Sequence, residues 1–295
     1  MSIEQAKEKL KVIRERKKKT QYLEKLEENL EAINNKTKGL SYAIDNKTLK
    51  LLTKPDKAKL PDGRVVKLPG KNLNITKIGR LFHIYTMYKK NRLNGYLDFE
   101  LLAFILNIPI TKTADGEIKN YNMLKTRVRK ALKELNDPHP IIAFKEDAEK
   151  GVKFTHIPNG ANFGMYIEKG ETEGFTQIYC NLPDVLYNLE IEKGNPLDFL
   201  VVHTVLEYFS GSEKEAYPSL DTIAKLCGCS RRKIATLLSE GEKIGLWKIK
   251  STKGGSKKNT NRYILTDEQG KYLYLNVLEK LLKQEIERLN VEQAQ

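Results

Sequence analysis

Apolar positions recur at helical spacing along most of the chain, interrupted by short alternating runs. Residues 1–34 contain no Gly or Pro and are rich in Lys, Glu, Leu and Ala, which predicts one charged helix. Leu23, Leu26, Leu30 and Ile33 make a short seam on it, while Leu10 and Ile13 fall out of that frame. This argues against a long coiled coil and leaves two readings, a helix packed on its own domain or a short dimerising seam. Residues 35–73 change character. Pro55, Pro61, Asp62-Gly63 and Pro69-Gly70 predict a basic linker or arm, with a hairpin turning at Asp62-Gly63. Residues 74–158 predict a first folded domain. One helix carries Ile75, Ile78, Leu81, Phe82 and Tyr85, a second spans Leu97–Ile105, and a third runs from Tyr121 to Leu135. Ile141–Lys145 and Val152–Ile157 follow as two strands. Residues 175–268 predict a second domain. A strand at Phe175–Cys180 and a short helix at Pro183–Leu189 lead into helices over Leu197–Phe209, Pro218–Leu226 and Ser230–Ile244. Two strands, Trp247–Lys250 and Arg262–Leu265, then flank a Gly/Lys-rich loop. Both halves read helix, helix, helix, hairpin, a repeat of architecture without a repeat of sequence. The last segment, 271–295, is an amphipathic helix that either dimerises or caps the second domain.

The segment Pro218 to Ser239 carries the most chemistry. Ser219 caps one helix, and Leu220, Ile223, Ala224 and Leu226 give it an apolar face. Gly228 supplies the left-handed backbone of a sharp turn. Ser230 caps the next helix, which buries Ile234, Leu237 and Leu238 and carries Arg231, Arg232 and Lys233 in its first turn. That is the end that enters a DNA major groove in a helix-turn-helix.

This stretch resembles the helix-turn-helix of the winged-helix superfamily. The resemblance continues through Glu242-Lys243-Ile244-Gly245-Leu246-Trp247-Lys248-Ile249, similar to the family's exit from recognition helix to wing. Gly241 departs from the pattern, which has an apolar or helix-favouring residue there, and costs about 1 kcal/mol of helix propensity. The resemblance implies a recognition helix bearing Ser230, Arg231, Arg232, Lys233 and Thr236. It implies a wing with Lys248, Lys250, Lys253, Lys257, Lys258 and Arg262 as phosphate contacts. In the first domain Lys125, Arg127, Arg129, Lys130 and Lys133 mark a second recognition helix or a solvated charged face. The expected fold class is mainly α with small β-hairpin wings, an α+β chain of tandem winged-helix domains between N-terminal and C-terminal helices.

Charge changes the picture by its distribution. The 295 residues carry 52 Lys+Arg against 38 Asp+Glu, a net charge of +14. Residues 7–19, 36–71 and 248–262 hold more than this whole surplus, and the last stretch has no acid. Such a balance speaks for a nucleic-acid partner. No apolar run approaches the ~20 residues of a membrane helix, and no apolar leader follows Met1. Cys180, Cys227 and Cys229 make no disulfide framework, so a reducing, cytoplasmic setting is expected. Cys227-x-Cys229 lacks a second paired motif, and His83, His139, His156 and His203 are scattered, so no metal or cofactor is expected. No catalytic signature is present, and the chain is expected not to be an enzyme.

The partner expected is double-stranded DNA, with replication proteins such as a helicase and a second copy of the chain as further candidates. Two winged helices with basic arms resemble the replication initiators of plasmids and phages, through Cys180–Leu186 and Tyr217–Ala224. A transcriptional regulator of a mobile element and a winged-helix interaction scaffold in replication or conjugation are the alternatives.

Overall fold

The computed structural model describes residues 41–46, 49, 58–59, 65–66, 74–90, 96–114, 116–136, 142–144, 162–167, 174–179, 181–252 and 260–294, and single helical positions between 21 and 31. Its strands are β1 (Ser41–Asp45), β2 (Ala58–Lys59), β3 (Val65–Val66), β4 (Tyr96–Asp98), β5 (Ile142–Phe144), β6 (Asn162–Ile167), β7 (Phe175–Tyr179), β8 (Glu215–Ala216), β9 (Lys248–Thr252) and β10 (Thr260–Ile264). Its helices are α1 (Ile75–Lys90), α2 (Phe99–Ile105), α3 (Tyr121–Asn136), α4 (Leu182–Tyr187), α5 (Pro196–Phe209), α6 (Leu220–Cys227), α7 (Arg231–Lys243) and α8 (Leu273–Ala294). The chain divides into two compact units, Leu40–Leu265 and, separately, Met1–Gly39 with Thr266–Gln295.

The larger unit is organised around α5. Every residue from Leu197 to Glu207 is buried, so this helix is covered on all sides. Asn195 caps it, its side chain accepting from the Leu197 amide at 3.0 Å, and Pro196 opens it. Helix α1 packs along α5 through Gly79. A Cβ at position 79 would lie 2.4 Å from the Leu197 carbonyl oxygen, so the two backbones touch where a side chain would stand. Ile75, Ile78, Leu81 and Phe82 of α1 are all buried, as the helical spacing requires.

Two three-stranded antiparallel sheets flank this pair, with orders β4-β6-β5 and β8-β10-β9. The chain order is the same around each: helix, strand, helix, helix, strand, strand. In the second sheet Tyr263 pairs with Ile249 on one side and Ala216 on the other. In the first, Leu97 pairs with Phe163, and Phe144 with Met165.

Several expectations are corrected here. Residues 96–98 form a strand, so the second helix begins at Phe99 instead of Leu97. The strand that pairs with β5 is Asn162–Ile167, beyond the expected Val152–Ile157, which lies outside the described residues. The 35–73 segment is more than a linker: β1 pairs in antiparallel register with β7, Tyr42 opposite Ile178 and Ile44 opposite Thr176. The Asn46 amide group accepts the Thr176 hydroxyl at 2.6 Å and closes that ladder. The expected hairpin is present as β2 and β3, Ala58 opposite Val66, on either side of Asp62-Gly63. β8 is a short strand with no counterpart in the sequence reading.

In the other unit, Asp267 accepts from the Gln269 and Lys271 amides at 3.0 and 2.9 Å ahead of α8. Along α8, Leu289 is buried against Leu282 and Ile286. Lys283 pairs with Glu279 at 2.7 Å and Arg288 with Glu285 at 2.7 Å on its outer face. The seam at Leu23, Leu26, Leu30 and Ile33 lies outside the described residues.

One buried base makes the larger unit sensitive to acid. His203 is 1% exposed, with Tyr179 edge-on at 5.8 Å and Trp247 at 6.4 Å. Burial, helped by the nearby Lys214 ammonium, pulls its imidazole down from 6.5 to about 3. The unfolded chain therefore takes up a proton below pH 6.5 that the folded chain refuses until about pH 3. Stability is full above 6.5 and is lost as pH falls, by about 1.4 kcal/mol per pH unit within that window. Thermal denaturation across it should show Tm falling with acidification, with a visibly smaller slope in His203→Gln.

Candidate nucleic-acid interface

The site is built on α6 and α7. Ser219 accepts the Thr222 amide at 3.1 Å and opens α6, whose Ile223, Ala224 and Cys227 are buried. Gly228 then takes φ 63° and ψ 35°, and the Cys229 amide returns to the Ala224 carbonyl at 3.1 Å. Ser230 accepts the Lys233 amide at 3.2 Å and starts α7. The turn is closed by hydrogen bonds at both of its ends, which fixes the angle between the helices.

Helix α7 is buried along Ile234, Leu237, Leu238, Glu240 and Gly241. Ser230, Arg231, Arg232 and Thr236 are exposed at its N-terminal end. Ala235, Ser239 and Lys243 are exposed on the same helix and were missed from the sequence. Their signal was present, since they follow Arg231 at successive spacings of four. Arg231 lies 3.6 Å from Asp221, with both side chains well exposed, so the pair is weak and the guanidinium is available. Arg232 is open to solvent, while Thr236 donates to its carbonyl at 3.2 Å.

Lys233 differs from its neighbours. Its ammonium lies 2.7 Å from Asp198 Oδ2, and that carboxylate is only 1% exposed. The sequence placed Lys233 with the base readers; the structure turns its charge toward α5.

The wing follows from the far end of α7. Trp247 is fully buried and its indole N–H donates to the Leu238 carbonyl at 2.9 Å. The ring lies directly over position 241. A Cβ there would stand 2.0 Å from a carbon of the indole, so the glycine that departs from the family pattern is demanded by the tryptophan. Glu242 accepts the Ile249 amide at 2.7 Å and pins the start of β9. Lys248 and Lys250 are exposed on β9. Arg262 sits opposite Lys250 on β10, its guanidinium bound by Glu215 and 6.0 Å over the Tyr217 ring. That bond holds the Glu215 carboxyl below its usual range. Lys253, Lys257 and Lys258 lie outside the described residues.

On α3, Leu124, Val128 and Leu132 are buried. Arg127 and Lys130 are exposed one turn apart on that helix, and Lys125 and Arg129 are half-buried. The side chain of Lys133 lies outside the described residues.

Cys227 and Cys229 are held as neutral thiols. Burial pushes Cys227 well above its ordinary value and Cys229 up to about 11. Among the described residues no cluster of three metal-capable side chains occurs, and no helix is long and apolar enough to cross a membrane.

No curated protein and no solved structure matches the chain. A helix-turn-helix domain family does, over residues 195–246, from the cap of α5 to the end of the turn after α7. Residues 195–246 are therefore similar to a helix-turn-helix domain, a type that commonly binds DNA.

Proposed function

We propose that this chain is a sequence-specific double-stranded DNA-binding protein with no catalytic step of its own. The observation that carries it is the exposed first turn of α7, where Arg231 and Arg232 project from a capped, rigid helix-turn-helix. In the major groove an arginine fork reads the guanine O6/N7 edge, and Thr236 lies one turn further along. Lys248 and Lys250 on the wing then meet phosphates, which position the protein without reading sequence.

The shared strand order of the two sheets supports two winged helices in tandem, with Arg127 and Lys130 of α3 as the second contact. A tandem reader with basic segments is the form of a plasmid or phage replication initiator, and we assign that role. Its sites are repeated origin sequences, and a helicase is recruited by surface contacts. A regulator of a mobile element uses the same DNA chemistry with a footprint confined to a promoter. Footprinting on the DNA around the gene separates them: protection over iterated direct repeats supports initiation, and protection of a promoter alone overturns it.

The wing makes a separate prediction. Lys248→Ala with Lys250→Ala should weaken selected and scrambled duplexes equally. The slope of log affinity against log salt should become shallower by about 0.9 for each lost phosphate contact. A change of sequence preference with general affinity intact would contradict the assignment.

A further inference from the structure

We propose that Asp198 is a positioning residue for sequence readout, setting the pose of α7 through Lys233. The inference rests on α7 being the reading helix. Residue 233 is held twice in the first turn. Its amide donates to Ser230 Oγ at 3.2 Å, and its ammonium forms an ion pair with Asp198 Oδ2 at 2.7 Å. The other oxygen of that carboxylate accepts the Thr76 hydroxyl of α1 at 2.7 Å. One carboxylate, 1% exposed, thus joins three helices: α1, α5 and α7.

The far end of α7 is held by the same stretch of chain. Glu240 is 6% exposed and accepts the Glu192 amide at 3.2 Å, while Lys243 pairs with Glu192 at 2.8 Å. Between these two anchors Gly194 presses on Leu237, leaving only 2.7 Å between a Cβ placed there and the leucine methyl. The segment from Glu192 to Asp198 therefore cradles the reading helix along its length. A reading helix can discriminate only if its arginine forks arrive in register with base edges, and a shift of about 1 Å spoils a bidentate bond. Asp198 fixes the turn from which Arg231 and Arg232 project, and it touches no base itself.

The test uses the full chain and a randomised duplex pool. The duplex that the wild-type chain selects is compared with a scrambled duplex of equal length. Asp198→Asn, Lys233→Met, the double variant and Thr76→Val are measured for the affinity ratio of selected to scrambled duplex, for salt slope, and for folding by thermal denaturation. Asp198→Asn and Lys233→Met should each lower the ratio about tenfold with the salt slope unchanged, and the double should be no worse than either single. Additive losses with a slope shallower by about 0.9 would overturn the proposal and make Lys233 a phosphate contact. Should Asp198→Asn fail to fold, Thr76→Val keeps the carboxylate and removes one of its bonds; it should lower the ratio by a smaller factor, and an unchanged ratio overturns the proposal. A wild-type chain that binds no duplex overturns the DNA assignment and this inference with it. An Asp198→Asn chain that binds with full discrimination overturns this inference alone.

Discussion

Gly241→Ala should destabilise the chain by about 3 kcal/mol, the upper end of the usual cost of overfilling a core. Helix propensity alone predicts the opposite sign, a gain of about 1 kcal/mol for alanine over glycine within a helix. The packing decides. A Cβ at position 241 meets the indole carbons of Trp247 at 2.0, 2.5 and 2.6 Å. The ring has nowhere to go. It is fully buried, tied to the Leu238 carbonyl at 2.9 Å, and faces Phe199 and His203 at 6.4 Å. Denaturant midpoints measure the loss. In Trp247→Phe the offending part of the indole is gone, so alanine at 241 should cost much less in that background, a coupling of the kind a double-mutant cycle detects. A stabilised Gly241→Ala single variant would contradict the packing described here.

Arg231→Ala combined with Arg232→Ala should lower affinity for the selected duplex about a hundredfold, or about 3 kcal/mol, since each good guanine fork contributes about 1–3 kcal/mol. Affinity for scrambled duplex should fall much less. Both side chains are exposed, so folding should be unaffected. Arg231 gives up little on moving to DNA, because its 3.6 Å pair with Asp221 lies in solvent. The lysine variants at the same positions keep the charge and lose the fork. They should retain general affinity and still lose discrimination. Equal losses on both duplexes would reassign these arginines to phosphates.

The second half of the larger unit was legible from sequence because its signals are local. Ser219, Gly228 and Ser230 each act within four residues, and the caps and turn they predict are present. Strand β1 was not legible. Ser41–Asp45 is a short run inside a basic segment, and its partner β7 lies more than a hundred residues away, where no local pattern reports it. Strand β6 was missed for a related reason: its pairing with both β4 and β5 is a property of the closed sheet. At the site, the first-turn cations looked alike in sequence. Only the fold separates Arg231 and Arg232, which face solvent, from Lys233, whose ammonium rests on Asp198. A hint existed, in the single carboxylate within the apolar run Pro196–Val205. Gly241 carried the reverse lesson, reading as a propensity cost while Trp247, six residues on, supplies the reason for it.

The central claim, that α7 and its wing grip duplex DNA and read it, is tested most directly by titrating the wild-type chain against the randomised duplex pool over a range of salt. Binding is expected at low salt, with a linear fall of log affinity with log salt and enrichment of a defined sequence that persists as salt rises. Absence of binding to any duplex at low salt would contradict it.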